Sequence, residues 1–226
     1  QILPNANIIE KKVEGFAISL IINEGNATVK IEVNHVIRGT VFPVTEYFLC
    51  EKARSIFNLS FKNKILQKEE LYAGKICAAL DRQHPRDIFD IKLFFENEEF
   101  NLDLKRAFII YLISHPRPIS ELLQPNLLDF SAQYHKEFLG MTNEVVELST
   151  LQETRKKLIQ TINDSLDDND KAFILSYKST APDWNLLGLQ NIENLPSIKW
   201  KLLNLRKMDK TKHSLALNKL KAVLNV

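Results

Sequence analysis

The 226-residue chain is poor in cysteine and glycine, and these shortages exclude several kinds of site. Cys50 and Cys77 are its two cysteines, too few for a disulfide framework or a cysteine zinc site. Six glycines leave little material for phosphate loops, and neither Gly-x-x-x-x-Gly-Lys-Ser/Thr nor Gly-x-Gly-x-x-Gly occurs. Gly-x-Ser-x-Gly and His-Glu-x-x-His are also absent, so the hydrolase and zinc-protease signatures are missing.

Long apolar runs and a strong charge of one sign are missing as well. The longest apolar runs, at residues 18–22 and 108–113, fall far short of the roughly 20 residues that span a bilayer. The first residues have neither the basic start nor the apolar stretch of a signal peptide, which favours a cytoplasmic protein. Thirty basic and 28 acidic residues give a net charge of +2, too small to indicate nucleic acid or membrane binding.

The first part of the chain contains strand patterns. Residues 13–22 and 28–34 favour strands, and residues 23–26 between them have hairpin-turn chemistry. Alternation in the second run places Lys30, Glu32 and Asn34 on one sheet face. Residues 40–44 read as a third strand, near an edge because it contains a proline.

The rest of the chain has helical patterns. An apolar face formed by Leu71, Ile76, Ala79 and Leu80 predicts a helix from about Lys68 that a proline ends. The other predicted helices lie at about residues 86–95, 104–113, 127–138, 149–166, 168–178, 197–208 and 211–224. We therefore predict an α+β fold with two domains, a strand-containing part at 1–114 and an all-α part at 115–226.

Lys75 is the first candidate site residue. It stands on the first of these helices among small residues, and Gly74 costs that helix roughly 1 kcal/mol relative to alanine. Small neighbours would let a phosphate approach the lysine closely. The alternative interpretation is an ordinary exposed helical lysine.

A denser polar cluster follows at the break between the first two helices. Asp87 and Asp90 are three residues apart on one side of a helix, and Arg82, His84 and Arg86 lie close by in sequence. Apolar neighbours place these polar groups at the edge of a core, where functional sites often lie. The alternative is that Asp87 caps its helix.

Three further features have alternative interpretations. Glu32 on its strand could ligate magnesium or act as a base, or Lys30, Glu32 and Asn34 could form an ordinary solvent-facing strand face. Trp184 and Trp200 are expected to pack in the helical core. The C-terminal stretch is rich in basic residues, either solvated or in contact with phosphate or RNA: Lys199, Lys201, Arg206, Lys207, Lys210, Lys212, Lys219 and Lys221.

Residues 70–94 together resemble the signature of the AbiEii/AbiGii nucleotidyltransferase-like toxins of bacterial abortive-infection and toxin–antitoxin systems. The segment that carries the resemblance reads Glu-Leu-Tyr-Ala-Gly-Lys-Ile-Cys-Ala-Ala-Leu-Asp-Arg-Gln-His-Pro-Arg-Asp-Ile-Phe-Asp from Glu70 to Asp90. Residues 181–184 and 195–202 are similar to the C-terminal portion of the same family. The resemblance thus extends over most of the chain.

The resemblance implies a polymerase-β-like nucleotidyltransferase core, with a few-stranded sheet, followed by a helical domain. It implies transfer of a nucleotide from an NTP to an RNA (tRNA) or protein acceptor with Mg²⁺, and a cognate antitoxin. Glu32 would be the third metal-binding carboxylate, and Lys75 would hold the triphosphate. Asp87 and Asp90 would serve as base or organiser. Lys30, Arg82 and Arg86 would contribute to nucleotide binding.

One family motif is missing. A Gly-Gly-Thr-like turn followed by a strand with an Asp-x-Asp pair should precede these motifs, and this chain has no such strand. Without those two carboxylates we expect the polypeptide not to catalyse transfer. It would then be part of a longer protein or the product of a shortened gene. The alternatives are a non-catalytic module that binds nucleotide, RNA or antitoxin, and an unrelated metal-dependent hydrolase using Glu32, Asp87 and Asp90.

Overall fold

The fold was obtained as a computed structural model that describes residues 5–13, 16–32 and 38–226. The chain divides into two compact units, residues 1–38 and residues 39–226. The predicted boundary between residues 114 and 115 lies within the second unit, where helices from both sides of it share one core. The division into domains 1–114 and 115–226 stays a prediction.

The first unit is an antiparallel meander with its second strand in the middle. Its strands are β1 (Asn7–Val13), β2 (Phe16–Glu24) and β3 (Ala27–Glu32). Gly25 lies in the two-residue loop between β2 and β3 with φ +56°, which glycine adopts without strain. The predicted hairpin is confirmed. Asn34 lies outside the described residues.

The second unit begins with a two-stranded antiparallel ribbon around a short helix. Its elements are β4 (Thr45–Phe48), α1 (Glu51–Phe57) and β5 (Lys62–Ile65). The strand predicted at residues 40–44 is wrong, since these residues form no ladder. The backbone N–H groups of Val41 and Phe42 donate instead to the Glu70 carboxylate, and Pro43 has no N–H to donate.

Nine helices complete the described part of this unit. They are α2 (Lys68–Arg82), α3 (Pro85–Asn97), α4 (Leu102–Ser114), α5 (Ile119–Leu123), α6 (Ser131–Glu137), α7 (Leu148–Ser165), α8 (Asp168–Lys178), α9 (Pro196–Arg206) and α10 (Lys210–Leu224). Two 3₁₀ helices, Trp184–Leu186 and Ile192–Asn194, lie between α8 and α9. The α+β class with a helical C-terminal part is confirmed.

The core forms around α4, which is apolar on nearly every side. Phe108, Ile109 and Leu112 of this helix are fully buried, and α2, α8 and α9 pack against it. A helix that is hydrophobic all round is typical of the centre of a fold. Burial of each such side chain contributes roughly 1.5–3 kcal/mol. Among the described residues, no helix is both long and apolar enough to cross a membrane.

Candidate functional site

The site begins at the turn that joins α2 to α3. Gln83 ends α2 with φ 49° in the left-handed region, and its buried side chain bonds the Asn126 carbonyl and the Leu128 N–H. Pro85 then begins α3, since its missing N–H costs nothing at a helix start. The predicted helix break is confirmed. The turn brings α2 and α3 side by side.

Two ion pairs cross from α2 to α3. The Lys75 ammonium lies 2.5 Å from an Asp90 carboxylate oxygen, and Arg82 lies 2.6 Å from Asp87. Lys75 and Arg82 are seven residues apart, two helical turns, and therefore lie on one side of α2. The structure thus brings four of the predicted site residues together along one seam. We call the line of these four residues the α2–α3 seam.

A third acidic residue, Glu137 of α6, closes one end of the seam. Its carboxylate lies 3.1 Å from His84 Nε2 and 3.6 Å from the Arg86 guanidinium. His84 Nδ1 accepts a hydrogen bond from the Arg86 N–H and caps α3. Because Nδ1 is an acceptor, the neutral imidazole carries its proton on Nε2 and donates to Glu137.

Asp87 is the most enclosed carboxylate of the seam. Its side chain is 16% exposed, against 40% for Asp90. One oxygen, Oδ1, accepts from Arg82, whereas Oδ2 is buried and has no hydrogen-bond partner among the described residues. A buried carboxylate oxygen without a donor is costly, so its position calls for a functional or structural reason.

The small residues beside Lys75 serve packing. A Cβ atom added at Gly74 would lie 3.3 Å from the Tyr111 ring of α4, so the glycine lets α2 and α4 approach closely. The Tyr111 hydroxyl donates to Glu70, one helical turn before Gly74. Close packing against the Tyr111 ring therefore explains why a glycine stands at position 74. Gly74 no longer supports a phosphate site beside Lys75.

Lys30 and Glu32 lie in the first unit. They are on the same face of β3, where Lys30 lies opposite Ile21 of β2 and Glu32 lies opposite Ser19. Their side chains form an exposed ion pair with 2.7 Å between the ammonium and the carboxylate oxygen. This placement agrees with the predicted alternation. An exposed pair of this kind contributes about 0–1 kcal/mol and is free to separate.

The described residues do not form a complete metal site. No group of three His, Cys, Asp or Glu side chains lies close enough within residues 5–13, 16–32 and 38–226 to hold an ion. Asp90, Asp87 and Glu32 are each paired with a cation, Lys75, Arg82 and Lys30 respectively. Asp87 Oδ2, the buried oxygen without a hydrogen-bond partner, could supply one ligand, whereas magnesium requires about six.

Two residues that shape this region, Glu70 and Glu137, were not among the candidate site residues predicted from the sequence. Glu137 is too far along the chain for its contact with His84 to be inferred. Glu70 could have been found, because it lies on the apolar face of α2 with Ala73, Ile76 and Leu80, and all four are buried. Leu71, predicted to be on that face, is 49% exposed.

Comparisons with known proteins give one result. The family model described as "Nucleotidyl transferase AbiEii toxin, Type IV TA system" matches residues 2–202. The searches of curated proteins and of solved structures found no match. The matched range contains the α2–α3 seam, both members of the Lys30–Glu32 pair and the 195–202 segment.

Proposed function

Because the chain belongs to the AbiEii nucleotidyl transferase toxin family of type IV toxin–antitoxin systems, we propose that its α2–α3 seam binds the triphosphate of an NTP. Lys75 is the main phosphate ligand in this proposal. Arg82, two turns further along the same side of α2, and Arg86 of α3 add positive charge. An antitoxin is the partner that the family implies, and an RNA such as tRNA is the acceptor we propose.

The ion pair between Lys75 and Asp90 carries this proposal. Both side chains remain about one-third exposed or more, at 35% and 40%, and Asp90 is the one described partner of the lysine. Separating an ion pair that is this exposed costs little free energy. A phosphate can therefore replace the Asp90 carboxylate as the partner of the Lys75 ammonium. Asp90 then positions the lysine in the absence of ligand, and Asp87 holds Arg82 in the same way.

We further propose that residues 1–226 bind the nucleotide without transferring it. None of the described strands carries an Asp-x-Asp pair, and Glu32 alone supplies too few ligands for the Mg²⁺ that the family implies. When bound, such an ion would neutralise phosphate charge and activate the acceptor. The residues that remain can hold and orient a triphosphate.

Isothermal titration calorimetry with each of the four NTPs and Mg²⁺ tests this proposal. We expect Lys75→Met to weaken NTP binding about tenfold, equivalent to roughly 1.4 kcal/mol. Lys92→Met is the matched control, because Lys92 is a neighbouring α3 lysine that pairs with Glu96 on its own helix. Equal affinities in these two variants would refute the triphosphate site. Transfer of labelled nucleotide to tRNA by residues 1–226 would refute the non-catalytic part.

A second candidate function is RNA or antitoxin binding by the C-terminal helices. Seven of the eight basic residues singled out there are exposed, and Lys201 alone is not. An RNA bound to this surface should dissociate steeply as salt rises, because phosphate contacts release counterions. RNA affinity that stays constant between 50 and 200 mM salt would contradict this function.

A further inference from the structure

A pocket lies between the connector before α5 and helices α8, α9 and α10, and none of its lining residues belongs to the α2–α3 seam. Its volume is about 270 Å³, slightly below the range of roughly 300–1,000 Å³ that is usual for ligand sites. The lining is mostly apolar and includes Trp200, Leu205, Met208 and Leu220. Trp200 is 57% exposed, so the prediction that it packs in the core is wrong. Its ring forms part of the pocket wall instead.

Two lysines are the charged groups of this pocket. Lys178 of α8 is 9% exposed, and its ammonium has no hydrogen-bond or ion-pair partner among the described residues. Lys201 of α9 donates to the backbone carbonyls of His115 and Pro116. No Asp or Glu is among the described residues that line the pocket. A buried lysine and a half-buried lysine therefore line a mostly apolar pocket that has no carboxylate among its described lining residues.

The electrostatics of these lysines agree with their geometry. Burial lowers the pKa of Lys178, and burial together with the positive charge of Lys178 lowers the pKa of Lys201 to about 8. With a pKa of about 8, the Lys201 ammonium is still mostly protonated at pH 7. Buried charges are usually paired, because an unpaired one loses its hydration without compensation. An anion placed between them would supply the missing partner.

We propose that this pocket binds a small organic anion, in which a phosphate, sulfonate or carboxylate group is attached to an apolar or aromatic body. The anionic group pairs with Lys178 and Lys201, and the body packs on Trp200, Met208 and Leu220. The volume of about 270 Å³ limits the body to a few aromatic rings. This site is separate from the proposed triphosphate site, and neither depends on the other.

Fluorescence titration of the whole chain with 8-anilinonaphthalene-1-sulfonate tests the proposal. This probe joins an anionic group to aromatic rings, and N-phenyl-1-naphthylamine is its uncharged counterpart. Lys178→Met keeps the length and the apolar volume of the side chain while removing one charge. We expect it to weaken binding of the sulfonate about tenfold and to leave binding of the uncharged probe unchanged or tighter.

Two control variants make the result specific. Lys199→Met removes an exposed charge from the same helix as Lys201 and should leave the affinity for both probes unchanged. Ala216→Phe fills the pocket without changing its charge and should abolish high-affinity binding of both probes. Lys178→Met should fold at least as stably as the wild type, because it removes an unpaired buried charge. Thermal unfolding checks this point.

Three outcomes would overturn the proposal. The first is a sulfonate affinity of Lys178→Met equal to that of the wild type. The second is an equal loss of affinity for the charged and uncharged probes. The third is unchanged binding in Ala216→Phe, which would place the probe elsewhere on the protein. NTP binding at Lys75 is measured separately, so either site can fail without the other.

Discussion

Substitution of Glu70 tests which hydrogen bonds stabilise helix α2 beside the α2–α3 seam. Its side chain is fully buried on α2, and its carboxylate accepts three hydrogen bonds. The donors are Val41 N–H at 2.9 Å, Phe42 N–H at 3.2 Å and the Tyr111 hydroxyl at 3.2 Å. Removing this carboxylate frees the 41–42 backbone from the helix that carries Lys75. We therefore expect Glu70→Ala to destabilise the second unit.

The magnitude follows from the three lost bonds. A buried donor left without a partner costs about 1–3 kcal/mol, and the two N–H groups belong to half-buried residues, which favours the lower end. The lost tyrosine bond adds about 1 kcal/mol, and removal of a buried charge offsets part of the sum. We expect a net loss of roughly 2–4 kcal/mol. Tyr111→Phe, which removes one bond, should cost about 1 kcal/mol.

Urea unfolding measures this loss directly. The midpoint should fall in Glu70→Ala without a change in slope, because the surface exposed on unfolding stays the same. Thermal unfolding should show a decrease of roughly 4–16 °C, at 2–4 °C per kcal/mol for a unit of this size. Glu69→Ala is the matched control, since that carboxylate bonds no other described residue. A difference below about 0.5 kcal/mol between the two variants would refute the bonding role of Glu70, because surface substitutions commonly vary by that much.

Three other substitutions have defined outcomes. A hydrogen bond from the Lys105 ammonium, and a second from the Asp170 N–H, lower the pKa of Asp167 from its ordinary value of 3.8. The ionised carboxylate therefore stabilises the fold above pH 3.8, and this contribution is lost as the pH falls through the lowered pKa. Urea midpoints should show Asp167→Asn less stable at about pH 6, with the difference shrinking progressively as the pH falls below 3.8. Gln83→Ala should be less stable than Gln83→Gly by about 1 kcal/mol in urea, because φ at this position is 49°; equal values would contradict the left-handed backbone. Arg155→Met should lower the unfolding free energy by about 1–3 kcal/mol, since Arg155 is buried and donates to the Gln83 side chain at 2.7 Å; an unchanged midpoint would show that this contact contributes nothing.

The helical part of the fold was predictable because its apolar periodicity is strong. Each helix predicted from the pattern is present, and Asp167 caps α8 together with Asp170. The elements β4, α1 and β5 were not predictable in the same way. None of their residues is buried, so their sequence carries no periodic apolar face. A burial pattern predicts only those elements that bury a face.

The composition of the α2–α3 seam was predictable, but its pairing was not. Spacing alone places Asp87 and Asp90 on one side of a helix, and it cannot show that Lys75 bonds Asp90 fifteen residues away. That contact depends on the turn at Gln83, whose left-handed backbone is held by bonds to residues 126 and 128. Those bonds connect segments more than forty residues apart. The residue types are local information, whereas their partners are set by tertiary structure.

Helix α2 shows how the two kinds of information combine. Glu70 and Gly74 are four residues apart and both meet Tyr111, so this side of α2 is used by packing against α4. Lys75 and Arg82 are seven residues apart and both meet α3 carboxylates, so a second side forms the seam. Successive residues of a helix are rotated by about 100°, and Gly74 and Lys75 must therefore point in different directions. The glycine can then be essential for packing while the lysine beside it remains available to a ligand.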